Sequence, residues 1–148
     1  MARTIHTSIE IDAPADRVWD ILINFDDYLK WNPFITNIQG EAVQGAQLEV
    51  FIRPSGGKGM TFKSKVIKCE PNMEFRWKGK LFVPGLFDGE HSFQINPIGD
   101  NRVEFVQQEN FSGTLVGLVL RMIGKATQQG FEAMNLALKT QAEGEGSG

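Results

Sequence analysis

VGLVLRMIGKATQQGFEAMNLALK, residues 116–139, is the stretch where the period of the chain changes. Val116, Val119, Leu120, Ile123, Thr127, Phe131, Met134 and Leu138 make one apolar stripe at helical spacing. Arg121, Lys125, Gln128, Glu132 and Lys139 make the opposite, polar face. Residues 35–111 read differently, with apolar or aromatic residues at alternate positions in LEVFI, MTFKSKVI, MEFRWKG, DGEHSFQINPI and RVEFVQQENF. Turn chemistry separates these segments at 40–45, 54–59, 70–72, 83–85 and 99–101, so about six strands precede the helix. Strands of this kind suit an antiparallel meander with one covered face, and the long final helix is the element available to cover it.

Upstream, Ile5, Thr7, Ile9 and Ile11 alternate as one more half-buried strand. Pro14 suits a first helical position, Asp16 favours the positive end of the helix dipole, and Val18, Ile21, Leu22 and Phe25 give that helix a core face. A second short helical piece is expected to stop near Trp31, because Pro33 disfavours a helical Asn32. Tyr28, Trp31 and Phe34 are expected to pack at this corner, with Trp31 at the mouth of any cavity beneath. The predicted class is α+β in the order β-α-α-β6-α, a curved antiparallel sheet of about seven strands around a long C-terminal helix. Residues 1–142 are read as a single domain and the glycine-rich 143–148 as a flexible tail.

Composition narrows the function. The chain has 148 residues, 41% hydrophobic and 22% charged, with no apolar run long enough to span a membrane. The N-terminus lacks the apolar core of a signal peptide, so a cytoplasmic location is expected, without stable membrane insertion. A single cysteine, Cys69, and two histidines, His6 and His91, exclude an internal disulfide and make no metal site expected. The formal net charge of −3, with Lys and Arg scattered, argues against nucleic acid as a partner. No cofactor fingerprint occurs, and GGKG lacks the spacing and the following Ser or Thr of a phosphate-binding loop, so no cofactor is expected.

One hairpin carries the polar chemistry. With Gly99, Asp100 and Asn101 as a three-residue loop, Ile98 faces Arg102, Ile95 faces Phe105, Phe93 faces Gln107 and His91 faces Glu109. A two-residue loop would set Phe93 opposite Gln108 and mix apolar with polar residues, so the hydrophobic pattern favours the first register. An imidazole and a carboxylate then share the concave face with Phe87, Phe93, Ile95, Phe105 and Phe111. Burying either alone is costly, whereas together they form a charge-assisted hydrogen bond that Gln107 and Asn135 can join.

Several stretches resemble the SRPBCC, or START-like, superfamily, within it the bacterial polyketide cyclase/dehydrase and lipid-transport group. They are IDAPADRVWDIL, YLKWNPFI, FDGEHSF, FVQQENFSG and GFEAMNLALK, which together span nearly the whole chain. The resemblance implies a helix-grip fold with a deep cavity between sheet and final helix. It further implies a hydrophobic, lipid- or polyketide-like small molecule as partner.

Trp31, Phe62, Trp77, Phe87, Phe93 and Phe105 are the expected apolar walls of that cavity, with Val119, Ile123 and Phe131 facing them from the helix. His91, Gln107 and Glu109 are its polar anchors, and His91 with Glu109 is the candidate acid/base pair. Three functions compete: a carrier of a hydrophobic ligand, an enzyme of the cyclase, dehydratase or hydrolase type, and a protein-interaction module. The last would use the apolar loop 81–87, which is compatible with a cavity lid, a contact surface or a segment folded back into the core. The oligomeric state leaves no mark in the sequence. Gly117, Gly124 and Gly130 either loosen the final helix as a gate or allow close packing on the sheet.

Overall fold

The computed structural model describes residues 2–53, 58–81, 83 and 85–144. Its strands are β1 (Ala2–Ile11), β2 (Ile35–Gln39), β3 (Gln47–Ile52), β4 (Met60–Glu70), β5 (Glu74–Lys80), β6 (Asp88–Gly99) and β7 (Arg102–Ser112). They form one antiparallel sheet in the order β1-β7-β6-β5-β4-β3-β2. Only β1 departs from chain order, because it runs along β7 from Ala2↔Ser112 to Ile11↔Val103. The first two strands therefore sit at opposite edges. The chain crosses between them through α1 (Ala15–Ile23), a 3-10 turn (Phe25–Asp27) and α2 (Tyr28–Trp31), while α3 (Val116–Gly144) follows β7. The sheet curls around α3 as a half-barrel, which is the helix grip.

Alternation in sequence becomes inside and outside. On β4, Phe62, Ser64 and Val66 are buried while Lys63 and Lys65 are exposed. The core fills with aromatics: Tyr28, Phe34, Phe75, Phe87, Phe93, Phe105 and Phe131 are all but fully buried. Trp19 joins them from α1, beside the expected Val18 and Leu22. Pro14 stands one position outside α1 rather than at its first turn, since its extended ψ of 158° makes it the N-cap. At the corner Asn32 is extended, as Pro33 requires, and its Oδ1 accepts from the N–H groups of Phe34 and Ile35, both at 2.9 Å.

The β6–β7 hairpin keeps the expected pairs but not the expected turn. His91↔Glu109, Phe93↔Gln107 and Ile95↔Phe105 are all paired. Gly99, however, pairs with Arg102, which leaves a two-residue loop, and the register shifts between Pro97 and Gly99. Ile98 is thus the extra residue of a bulge beside Pro97 and is half exposed instead of facing Arg102. The bulge absorbs the one-residue difference, so burial of the inward set wins over turn geometry.

α3 is held unevenly. At Gly113, φ is 122°, a left-handed conformation, and a Cβ would overlap the Leu86 carbonyl. That carbonyl accepts from Leu115 N at 2.9 Å, and Gly85 O accepts from Thr114 N at 3.0 Å, so Gly85 and Leu86 are stitched to the start of α3. Within the loop Phe87 is core, Leu81 packs against the core and Val83 is exposed. Farther along α3, a Cβ at Gly130 would overlap the Phe34 ring, whereas Gly117 and Gly124 have no close neighbour. At the far end Arg17 donates to the carbonyls of Ala142 (2.6 Å) and Gln141 (3.3 Å), and Glu143 accepts from Asp12 N at 2.7 Å. With those bonds α3 runs through Gly144, taking in the first two residues of the expected tail.

Residues 145–148 of that tail, residues 54–57 of the glycine-rich turn, and Phe82 and Pro84 lie outside the described residues. Among the described residues no helix is long and apolar enough to cross a membrane.

Candidate functional site

The centre of the concave face carries one continuous polar chain. His91 Nδ1 lies 3.1 Å from Glu109 Oε1, and His91 Nε2 lies 2.9 Å from Gln107 Oε1. Gln107 Nε2 donates to Asn135 Oδ1 at 2.8 Å and to the Phe131 carbonyl at 3.4 Å. Asn135 Nδ2 then donates to Thr7 Oγ1 at 2.8 Å, and Thr7 Oγ1 donates to the Gln107 carbonyl at 3.1 Å. All six residues except Phe131 are polar and buried, and α3 is tied to β1 and β7 through them.

The directions of these bonds fix the histidine. A backbone carbonyl only accepts, so the Gln107 amide nitrogen faces Phe131 and its oxygen faces the imidazole. His91 Nε2 therefore carries a proton. The contact from Nδ1 to Glu109 Oε1 needs one proton between them, as an imidazolium–carboxylate or as a neutral imidazole facing a carboxylic acid. Aromatic rings of Phe93 (4.5 Å), Phe131 (5.0 Å) and Trp77 (5.1 Å) surround the imidazole.

The second carboxylate oxygen, Glu109 Oε2, has no hydrogen-bond partner among the described residues. Glu109 helps line an internal cavity of about 10 Å³, room for roughly one water. Phe34, Val50, Ile52, Phe62, Ser64, Trp77, Gly79 and His91 complete its wall. Two glycines make the space. A Cβ on Gly89 would overlap the Glu109 carboxylate, and one on Gly79 would overlap the Ser64 hydroxyl. The two glycines pair across β5 and β6, leaving a notch in an otherwise aromatic surface. Ser64 Oγ makes only a 3.5 Å contact with the Phe62 carbonyl, so the notch holds one free carboxylate oxygen and one weakly engaged hydroxyl. That pair can accept and donate hydrogen bonds, or move a proton, at the edge of an apolar ligand.

The family model for polyketide cyclase / dehydrase and lipid transport matches residues 2–143. The chain belongs to that family. Membership supports a role in binding a hydrophobic ligand or in cyclase chemistry. Among solved structures, the chain is similar to the ZhuI aromatase/cyclase from Streptomyces sp. R1128, with 17% identity, a TM-score of 0.79, and 97% of this chain and 94% of that one covered. It is similar also to a START superfamily protein from Mycobacterium smegmatis, with 20% identity, a TM-score of 0.74 and coverages of 96% and 98%. Norcoclaurine synthase from Thalictrum flavum matches with 15% identity, a TM-score of 0.71 and coverages of 95% and 86%. At these identities the likeness is one of fold. No curated protein matches the chain by sequence.

In this family member the expected site residues separate into groups. Phe62, Trp77, His91 and Glu109 meet at the cavity. Phe87 backs it, 6.2 Å from Phe62 and 5.3 Å from Phe111, while Phe93 and Phe105 stack at 6.0 Å on the far side of His91. Gln107 and Phe131 close the top through the polar chain and the His91 ring contact. Trp31 does not reach the cavity. It packs on Tyr28 at 5.2 Å and lines an outer groove with Asp16, Asp20, Asp27 and Gln141, because α2 turns its ring away from the sheet. Val119 packs only at the edge of the core and Ile123 is half-buried outside it, although Val116 in the first turn of α3 is buried in the core.

Ser64, Gly79, Gly89 and Thr7 were not singled out by sequence. Gly79 shares the inward parity of Phe75 and Trp77, and Gly89 that of His91 and Phe93, which is the signal a notch leaves in a strand. Cys69 is half-buried with Sγ 3.3 Å from the Ala42 carbonyl, and burial pushes its thiol up, away from a nucleophilic role. Among the described residues no group of three or more His, Cys, Asp or Glu side chains is placed to hold a metal ion.

Proposed function

We propose that the protein binds a hydrophobic small molecule, lipid- or polyketide-like, between the concave face and α3, with Glu109 as the polar anchor. The observation that carries this reading is the unpartnered Glu109 Oε2 set in an aromatic wall, where a ligand hydroxyl would supply the missing donor. His91 and Gln107 hold that carboxylate in place from behind.

A cavity of about 10 Å³ is too small for such a molecule, so binding requires its surroundings to open, and α3, which covers the concave face, is the element we propose to lift. Its N-terminal half is the less tightly held part, with Val116 in the core but Val119 and Leu120 only partly buried against it. Leu118 and Met122 are exposed there, whereas the polar chain anchors the helix only from Phe131 onward. Gly85 and Leu86 would move with it, through the bonds from Thr114 and Leu115.

The enzyme reading rests on the shared proton. Glu109 Oε2 would take a proton from a ligand carbon or hydroxyl while the Nδ1 proton of His91 steadies the carboxylate, as in cyclase or dehydratase chemistry.

Native mass spectrometry of protein purified from the organism that encodes it is expected to show a bound apolar compound. The same compound should quench the Trp77 component of emission, obtained as wild type minus Trp77→Phe. Glu109→Gln should weaken binding about tenfold while the fold is kept. A protein that carries nothing from its host, and whose Trp77 emission no fatty acid or aromatic polyketide alters, would defeat the reading. Turnover abolished in Glu109→Gln with affinity unchanged would favour the enzyme.

A further inference from the structure

On the convex face the same two strands that supply Ser64 and Gly79 to the cavity present four lysines. Lys63 lies directly opposite Lys80, and Lys65 directly opposite Lys78. They wall a groove of about 420 Å³ whose floor is the backbone at Ser64 and Gly79. Like charges facing each other across strands oppose sheet formation. None of the four forms an ion pair among the described residues.

The nearby acids are largely committed elsewhere. Asp88, paired with Lys80 on β6 and lining the groove, accepts from Gly85 N at 3.1 and 3.3 Å. Glu90, paired with Lys78, is held by Arg76 at 3.1 Å. Glu49 lies directly opposite Lys63 on β3 and forms no ion pair among the described residues. Four ammonium groups thus crowd one groove on a chain of net charge −3, so the excess is local to this place and not a property of the whole surface.

We propose that this convex groove is a binding site for a phosphate-type group carrying at least two negative charges. Such a group sits between the two lysine pairs and relieves both repulsions, with the lysine stems forming the apolar part of the walls. The reading is independent of the inner cavity. Its site lies on the opposite face of the sheet and uses none of the polar chain around His91.

The test is titration of the uniformly 15N-labelled chain with inorganic pyrophosphate, beside sodium chloride at matched ionic strength. The expected result is a saturable shift of amides in β4 and β5 with pyrophosphate only, together with a rise in unfolding temperature. The double variant Lys63→Gln/Lys80→Gln should lose affinity by about tenfold or more, and it should be more stable than wild type in the absence of the anion. Sedimentation with phosphatidylcholine vesicles containing phosphatidic acid separates the sources. Pelleting that pyrophosphate competes away points to a lipid headgroup, and its absence to a free phosphate ester. Equal shifts from chloride, shifts centred elsewhere, or unchanged affinity in the double variant would overturn the proposal.

Discussion

The bare backbone of Gly89 and the amide of Gln107 decide what Glu109 can do, although neither carries charge. Gly89→Ala would drive a methyl group into the Glu109 carboxylate and move it off His91. The expected outcome is a folded protein whose His91 Nδ1 resonance in 15N spectra shifts to that of an imidazole without its carboxylate partner. An unchanged resonance would mean the notch has slack. Gln107→Leu strands the Nε2 proton of His91 and the Asn135 Oδ1, and should cost about 3 kcal/mol in urea unfolding. Tyr28, the sole tyrosine, offers a separate check. It is fully buried with its hydroxyl donating to the Leu22 carbonyl, and burial raises its pKa far above the usual tyrosine range. The folded state therefore keeps a proton that the unfolded chain loses above about pH 10, so Tyr28 contributes stability below that pH that fades as pH rises. Absorbance at alkaline pH should show phenolate appearing together with unfolding; phenolate formed while the fold persists would contradict this placement.

At the level of elements, α3 behaves as two segments joined near Thr127. The C-terminal segment is locked by Phe131, Met134, Asn135 and Leu138, and by the approach of Phe34 to Gly130. Gly130→Ala should destabilise the protein by roughly 1–3 kcal/mol, because the Phe34 ring has no room to yield in a packed core. Gly124→Ala meets nothing closer than ordinary van der Waals contact and should stabilise the helix by about 1 kcal/mol. If the N-terminal segment must lift to admit a ligand, Gly124→Ala should also slow association, seen as a lower rate of Trp77 quenching. Faster association in the stiffened helix would argue for a route elsewhere. Sequence left the three glycines with one alternative, gate or close packing. Neighbours from other elements assign close packing to Gly130 alone, and helical periodicity cannot see those neighbours.

For the molecule as a whole, acid stability draws on two carboxylates, one within the β4–β5 hairpin and one that ties the end of α3 to the end of β1. Burial opposes ionisation of Glu74, but hydrogen bonds from Lys68 and Arg76 outweigh it and hold its pKa below the usual range. At Glu143 the Asp12 N–H, and then Lys139, lower the pKa and join the end of α3 to β1. A carboxyl lowered in the folded state binds fewer protons there than in the unfolded chain. Its contribution is complete above the ordinary carboxylate range and lost as pH falls through the lowered value. Urea midpoints should therefore hold steady from neutral pH to about 5 and fall below about 4. Glu143→Gln should flatten part of that fall; an identical profile would show that the tie contributes nothing. Sequence alone determined the element order, the strand faces and the His91–Glu109 pairing, because all of these follow from local periodicity and from burying one face of each strand. It misjudged the GDN turn, since a bulge at Ile98 satisfies the same burial with a different loop. Only the tertiary structure decided that Trp31 faces an outer groove, that Val119 packs only at the edge of the core and Ile123 outside it, and that paired glycines free one oxygen of Glu109. Those outcomes depend on how elements far apart in the chain pack together, and no spacing within a single element records that.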